Sequence, residues 1–250
     1  MPLGYLRNLS SAERTTRANQ HLGLSLAFVA GAINAGGFLA VGQYTSHMTG
    51  VLSAAADHFA LGELVLGLAA MVALLTFILG AASTAILINW ARRRHLRSQY
   101  ALSLLLEACL LLIFGLAGAN LPMAAHVMVP TTVLLLCFVM GLQNAIITKI
   151  SQAEIRTTHI TGMATDIGIE AGKWLYRWRA SAASDVAVNF RRLSLHLQLL
   201  ASFFLGGLLG ATGFKYLGYS ASIPLAAWLV LLAMMPILDD LRSARTPSLH

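Results

Sequence analysis

Two asparagines, Asn34 and Asn144, stand inside apolar stretches, where a carboxamide must find partners. A polar group left unpaired in hydrocarbon costs several kcal/mol. Each belongs to a short motif, Gly31-Ala32-Ile33-Asn34-Ala35 and Gly141-Leu142-Gln143-Asn144-Ala145. Each motif is followed by a second, Ser46-His47-Met48-Thr49-Gly50 and Thr158-His159-Ile160-Thr161-Gly162. The offset between copies is 110 residues from Gly31 to Gly141 and 112 from Ser46 to Thr158, so one loop is two residues longer. Two ordered polar elements repeated in the same order point to an internal duplication.

The chemistry open to these residues is recognition of a small solute. A buried amide either binds neighbouring helices together or contacts a solute, and its occurrence in both copies favours the solute. Thr49 and Thr161 are suited to cap a helix start. Gly50 and Gly162 permit backbone shapes that other residues resist. A helix that starts within the membrane directs free N–H groups and its positive dipole end at what lies there. That suits a carboxylate, a halide or the polar end of a solute. Asn34, Thr49, Gly50, Asn144, Thr161 and Gly162 are therefore the candidate substrate-binding residues.

Ionisable groups form a second set. His47 and His159 precede the threonines by two residues and suit gating or proton sensing, or a plain structural hydrogen bond. Asp57, Asp166 and Glu170 nearby offer a metal-site reading, but the spacing matches no metal motif and no metal is expected. Glu107 is the one acidic residue deep in a clear apolar span; such a group usually marks a proton or ion path, unless it is protonated or paired and only packs. Asp166 lies close to the second Thr-Gly break. His47, Glu107, His159 and Asp166 are the candidates for gating or coupling. Asp166, Glu170, Lys173 and Arg177 recur at helical spacing, and Trp174, Tyr176 and Trp178 are typical headgroup anchors. Residues 173–179 read as a surface amphipathic helix. His196 is given no role. Cys109 and Cys137 show neither disulfide nor metal spacing and read as apolar packers. No cofactor is called for.

The elements that position these residues follow from composition. The chain is 57% hydrophobic and 11% charged, with mean hydropathy +0.71. Soluble domains carry about 25% charged residues, so an integral membrane protein with an all-α fold is expected. A crossing helix needs roughly 20 apolar residues. Six spans are read, at about 22–42, 64–90, 101–119, 128–148, 194–217 and 222–238. The segments 46–58 and 158–178 carry polar groups and read as re-entrant, broken or interfacial pieces. The polar first twenty residues precede a run long enough to span, so the first span is expected to act as an uncleaved signal anchor.

Lys and Arg set the orientation. Sixteen of the 17 basic residues fall on one side of a six-span chain, and Lys215 alone falls on the other. Both termini are then cytoplasmic. The net charge of +7 is a topology signal rather than a nucleic-acid footprint, with some attraction to anionic lipid. Eight spans would break this asymmetry. Three spans per half give the halves opposite orientation: one repeat at about 22–119, the other at about 128–238, within a single membrane domain over 1–250. Phe77-Ile78-Leu79-Gly80-Ala81 echoes Phe203-Phe204-Leu205-Gly206-Gly207. Inverted three-plus-three repeats with matching polar breaks are an architecture of secondary transporters.

Gly31 to Gly50, and Met140-Gly141-Leu142-Gln143-Asn144-Ala145 through Thr157-Thr158-His159-Ile160-Thr161-Gly162, resemble the YoaK-like bacterial inner-membrane proteins over about residues 20–240. That family is catalogued as a domain of unknown function. The resemblance implies a six-span small-molecule transporter in the bacterial inner membrane and brings no substrate. Many members have Asp where Asn34 stands, Asn where His47 stands and Asn where Val51 stands. With no Asp at position 34, Glu107 becomes the main ionisable candidate.

The expected function is thus a secondary transporter or facilitator of a small solute, working among membrane lipids; the sequence is compatible with a homo-oligomer. An intramembrane enzyme using His, Asp and Glu is one alternative, and a membrane scaffold or regulator that moves nothing is another. No phosphate-binding Gly-x-x-x-x-Gly-Lys-Ser/Thr is present, which argues against ATP-driven pumping by this chain.

Overall fold

The computed structural model describes residues 15–119, 125–152, 154–179 and 186–245. Among them the fold is wholly helical. Helix α1 spans Thr16–Val41, α2 Met48–Ala60, α3 Leu64–Arg93, α4 Ala101–Ala119, α5 Ala125–Ile150, α6 Ile160–Arg179, α7 Phe190–Leu217 and α8 Ser222–Arg245. A 3-10 turn, Gly218–Ala221, links the last two.

The long helices lie on the apolar runs, with Pro130 inside α5 and Pro236 inside α8, and α1 and α7 carry caps at their ends. Thr15 accepts from the Ala18 N–H and starts α1, and Gly42, in the left-handed region at φ 73°, ends it. Asn189 accepts from the Arg192 N–H and starts α7. Thr16–Ala40, Leu64–Arg93, Pro130–Ile150 and Phe190–Arg242 are long and apolar enough to cross a membrane. The last of these runs contains both α7 and α8. Ala101–Leu116, in α4, is a shorter apolar stretch. Helix α3 shows why lipid is the natural solvent here. It exposes Val65, Leu68, Leu75, Leu79 and Ile86, a surface that water would penalise at roughly 25 cal/mol per Å².

Helices α2 and α6 fall on the two polar-bearing segments. Helix α2 has 13 residues, about 20 Å at 1.5 Å per residue, short of the roughly 30 Å hydrocarbon core. Helix α6 is longer but carries Asp166, Glu170 and Lys173.

The main helix pairings are α1 with α7, α3 with α5, and α4 with α8. Glycine makes the first two close. A Cβ built on Gly31 would lie 2.0 Å from the Phe203 carbonyl oxygen, and one on Gly141 would lie 2.0 Å from the Phe77 oxygen. The reciprocal glycines behave alike, with Gly206 against Phe28 O at 2.0 Å and Gly80 against Phe138 O at 2.1 Å. Only a residue without a side chain lets these backbones meet. Buried hydroxyls add interhelical bonds: Ser202 Oγ donates to Leu24 O at 2.7 Å, and Ser222 Oγ to Leu111 O at 2.9 Å.

Candidate functional site

The two halves of each motif meet in space. Asn34 Oδ1 accepts from the Ser46 N–H at 3.2 Å and from Ser46 Oγ at 2.9 Å. Asn144 Oδ1 accepts from Thr158 Oγ1 at 2.7 Å, while its Nδ2 donates to Met140 O at 2.8 Å. Each asparagine, late in a long helix, therefore holds the start of the loop that leads into the next, shorter helix. That bond explains why the two motif elements occur together, and why a loop two residues longer is tolerated between them.

Burial follows the same correspondence. Gly31 to Leu39 and Gly141 to Lys149 share one residue-by-residue pattern of buried and exposed positions. So do Thr45 to Val51 and Thr157 to Met163. Thr45 and Thr157 are each 0% exposed, with a hydroxyl that has no partner. Sequence reasoning passed over this pair, though the signal was present: both stand immediately before Ser46 and Thr158.

The threonines of the Thr-Gly elements do not cap. Helix α2 begins at Met48 behind His47, which makes no side-chain cap bond. The first turns close from the Val51 N–H to His47 O at 3.0 Å and from the Met163 N–H to His159 O at 3.1 Å. Thr49 and Thr161 are thus the second helical residues and are exposed. The capping role expected of them is corrected by one turn-start residue, the histidine. The glycines have a different task from the one expected as well. A Cβ on Gly50 would lie 2.2 Å from the His47 ring and one on Gly162 2.3 Å from the His159 ring. Each imidazole rests on the bare backbone of the glycine three residues on.

Beside the first break lies a cleft of about 740 Å³, between the end of α1, α2, α3 and α5. Phe38, His47, Ala54, Ala70, Pro130 and Leu134 are among its walls. Phe38 stacks on Tyr44 with ring centroids 4.5 Å apart. His58, also on the wall, pairs with Glu63. The volume suits a small organic molecule, since ligand pockets span about 300–1,000 Å³.

The second break is closed by charge. Asp166 Oδ2 accepts from Arg192 Nη2 at 2.9 Å, joining α6 to α7. His196 Nδ1 lies 3.6 Å from the same oxygen. One turn on, Glu170 accepts from Lys173 Nζ at 2.8 Å and from the Asn189 N–H at 2.8 Å. These bonds hold its carboxyl below the usual carboxylate range, with Lys173 the largest influence. A polar cleft of about 320 Å³ remains there, lined by Arg192, Leu195 and His196. The two breaks differ at corresponding positions. Asp166 corresponds to Ala54 at the 112-residue offset. Arg192 and His196 correspond to Leu66 and Ala70 at 126, the spacing of Phe77 to Phe203. Sequence reasoning counted Arg192 only as a topology charge and gave His196 no role.

Glu107 is 0% exposed on α4 and accepts from Gln143 Nε2 at 2.9 Å on α5. Gln143 was legible only as a motif letter, although a deep carboxyl calls for a partner. His47, His159, Asp57 and Glu107 do not share one described cavity; the large cleft takes His47 alone of the four. Among the described residues no three His, Cys, Asp or Glu side chains gather as a metal site. Cys137 is buried and Cys109 exposed, both free.

A family model described as "Protein of unknown function (DUF1275)" matches residues 22–235, and the chain belongs to that family. No curated protein and no solved structure matches it.

Proposed function

We propose that this member of the DUF1275 family is a secondary transporter or facilitator of a small solute, with six crossings arranged as a three-plus-three inverted repeat and both termini cytoplasmic in a bacterial inner membrane. The observation that carries the reading is a pair of matched helix breaks in opposite conditions. One borders a cleft of about 740 Å³, and the other is bridged by Asp166 and Arg192. Support for the repeat comes from the corresponding glycine contacts of Gly31 and Gly141, and from the matching Asn34 and Asn144 bonds. With the amino terminus inside, the open cleft faces outward and the ion pair faces the cytoplasm. Solute entering beside His47 and Gly50 would be released when the Asp166 latch parts and the first break closes, one half rocking on the other. Asp166 and Arg192 are 30% and 55% exposed at the side chain. A pair so exposed contributes about 0–1 kcal/mol, weak enough to break in a working cycle.

Asn34 and Asn144 hold the breaks in shape; Thr49 and Thr161 are exposed at the helix starts but line neither cleft, and of the first element His47 and Gly50 do. Lipids are the surrounding partner. The enzyme alternative requires a shared cavity for His47, His159, Asp57 and Glu107, and the described cleft offers only His47. The test is purified protein in liposomes against a broad metabolite panel. Uptake of at least one solute, lost in Asn34→Ala and Asn144→Ala, is expected. No flux in any condition, with both variants matching wild type in cells, sinks the reading.

A further inference from the structure

We propose that Glu107, together with Gln143, forms a buried proton-binding site between α4 and α5, and that the conformation described above is its protonated form. Two oxygens on these side chains lack a partner: Glu107 Oε2 and Gln143 Oε1. Both residues are 0% exposed. Gln143 Nε2 already donates to Glu107 Oε1, while the Ser103 hydroxyl, one turn earlier on α4, bonds neither of them.

With the carboxyl ionised, this cluster is short of donors. The charge has one amide bond, a bare second oxygen, and an unpaired amide carbonyl beside it. Buried polar groups left in that state cost several kcal/mol. One proton on Oε2 changes this: the carboxylate becomes a neutral acid, Oε2 becomes a donor, and Gln143 Oε1 is an acceptor able to receive it. Among the described residues no Lys, Arg or His pairs with Glu107, whose one hydrogen bond is from Gln143. No fixed cation therefore substitutes for the proton. The first motif copy has Ile33 where the second has Gln143, so the site exists once and any coupling is asymmetric.

In the cycle, the proton binds Oε2 from one side and is released to the other, leaving a carboxylate, when the packing of α4 on α5 changes. This coupling role rests on the transport reading; the proton itself does not.

Infrared difference spectroscopy of the full chain in lipid vesicles tests the site without any solute. The expected result is a protonated-carboxyl carbonyl band at neutral pH that Glu107→Gln removes and Gln143→Leu shifts. If Glu107→Gln does not fold, the Gln143→Leu shift decides alone. A carboxylate signature for Glu107 at neutral pH overturns the proposal, as does an acid band that appears only when sodium is removed, which would make the site one for a metal cation. For coupling, Glu107→Gln is expected to keep downhill flux of a transported solute and lose accumulation driven by a pH gradient. Accumulation equal to wild type overturns the coupling role. Wild-type vesicles that move nothing overturn the transport reading while the infrared band still decides the proton site.

Discussion

The two motif copies use one backbone device and opposite side-chain chemistry. In both, an asparagine oxygen ties down the loop, a histidine precedes the short helix, and its ring lies on a glycine. Around the first copy the facing positions hold Ala54, Leu66 and Ala70, and a cleft of about 740 Å³ opens. Around the second, the corresponding positions hold Asp166, Arg192 and His196, and the helices are drawn together. On the proposed reading the repeat supplies the scaffold, and the side chains at three matched positions set which side is latched. The difference lies in an exposed ion pair, a contact worth about 0–1 kcal/mol.

The comparison can be broken most severely at the glycines. Gly31→Val and Gly141→Val each drive a side chain into a facing carbonyl, and overpacking of this kind costs about 1–3 kcal/mol or more. Both are expected to lower the yield of monodisperse protein on size-exclusion chromatography by similar amounts. Tolerance of one but not the other would show that the copies are not packed alike.

The asparagines come next. Asn34→Ala and Asn144→Ala each remove the bond that holds a break, worth about 0.5–1.5 kcal/mol. Thermal unfolding in detergent should place both below wild type and within a few degrees of each other. An unchanged Tm for either variant would separate the two copies.

The latch can be transplanted. Ala54→Asp with Leu66→Arg puts the second copy's ion pair into the first. A gain of about 1 kcal/mol corresponds to roughly a fivefold shift in a two-state equilibrium. Slower labelling of a cysteine at Ala69, on the cleft wall, is the expected outcome. Unaltered labelling would mean that side chains at these positions do not set the opening.

The smallest effect concerns acid. The Glu170 carboxyl is held below its ordinary value near 4.5 by Lys173 and the Asn189 N–H. A lowered acid contributes stability that is complete above the ordinary value and fades as pH falls through the lowered one. Proteolysis of the α6–α7 connection should therefore be flat from neutral pH down to about the ordinary value and rise below it. Glu170→Gln should remove that rise; a rise that survives the substitution points to another group.

Much of this was legible in the sequence because hydrocarbon imposes simple rules. Helix positions followed from uninterrupted apolar length, and α2 and α6 stood out through Asp57, Asp166 and Glu170. The motif's doubling was visible, but the Asn–Ser/Thr bond was not, since it joins residues 12 apart in one copy and 14 in the other. Thr49 and Thr161 were misread as caps because a threonine ahead of an apolar run looks like one; only backbone bonding locates the start at His47 and His159. The Asp166–Arg192 pair spans 26 residues and two helices, beyond the reach of helical spacing rules. Gln143 and Glu107 needed the packing of α4 on α5 to be seen as partners.

The central claim is that the two breaks open in alternation, and cysteine accessibility measures it most directly. Ala69 lines the open cleft and Leu195, its match at the 126-residue offset, lines the latched one. In a chain with Cys109 and Cys137 replaced by Ala, Ala69→Cys should react quickly with an impermeant thiol reagent from outside, and Leu195→Cys slowly from inside. Adding Asp166→Asn should invert the order, slowing the first and speeding the second by up to roughly fivefold each. Two rates that move together, or an Ala69→Cys rate indifferent to Asp166, would contradict the account.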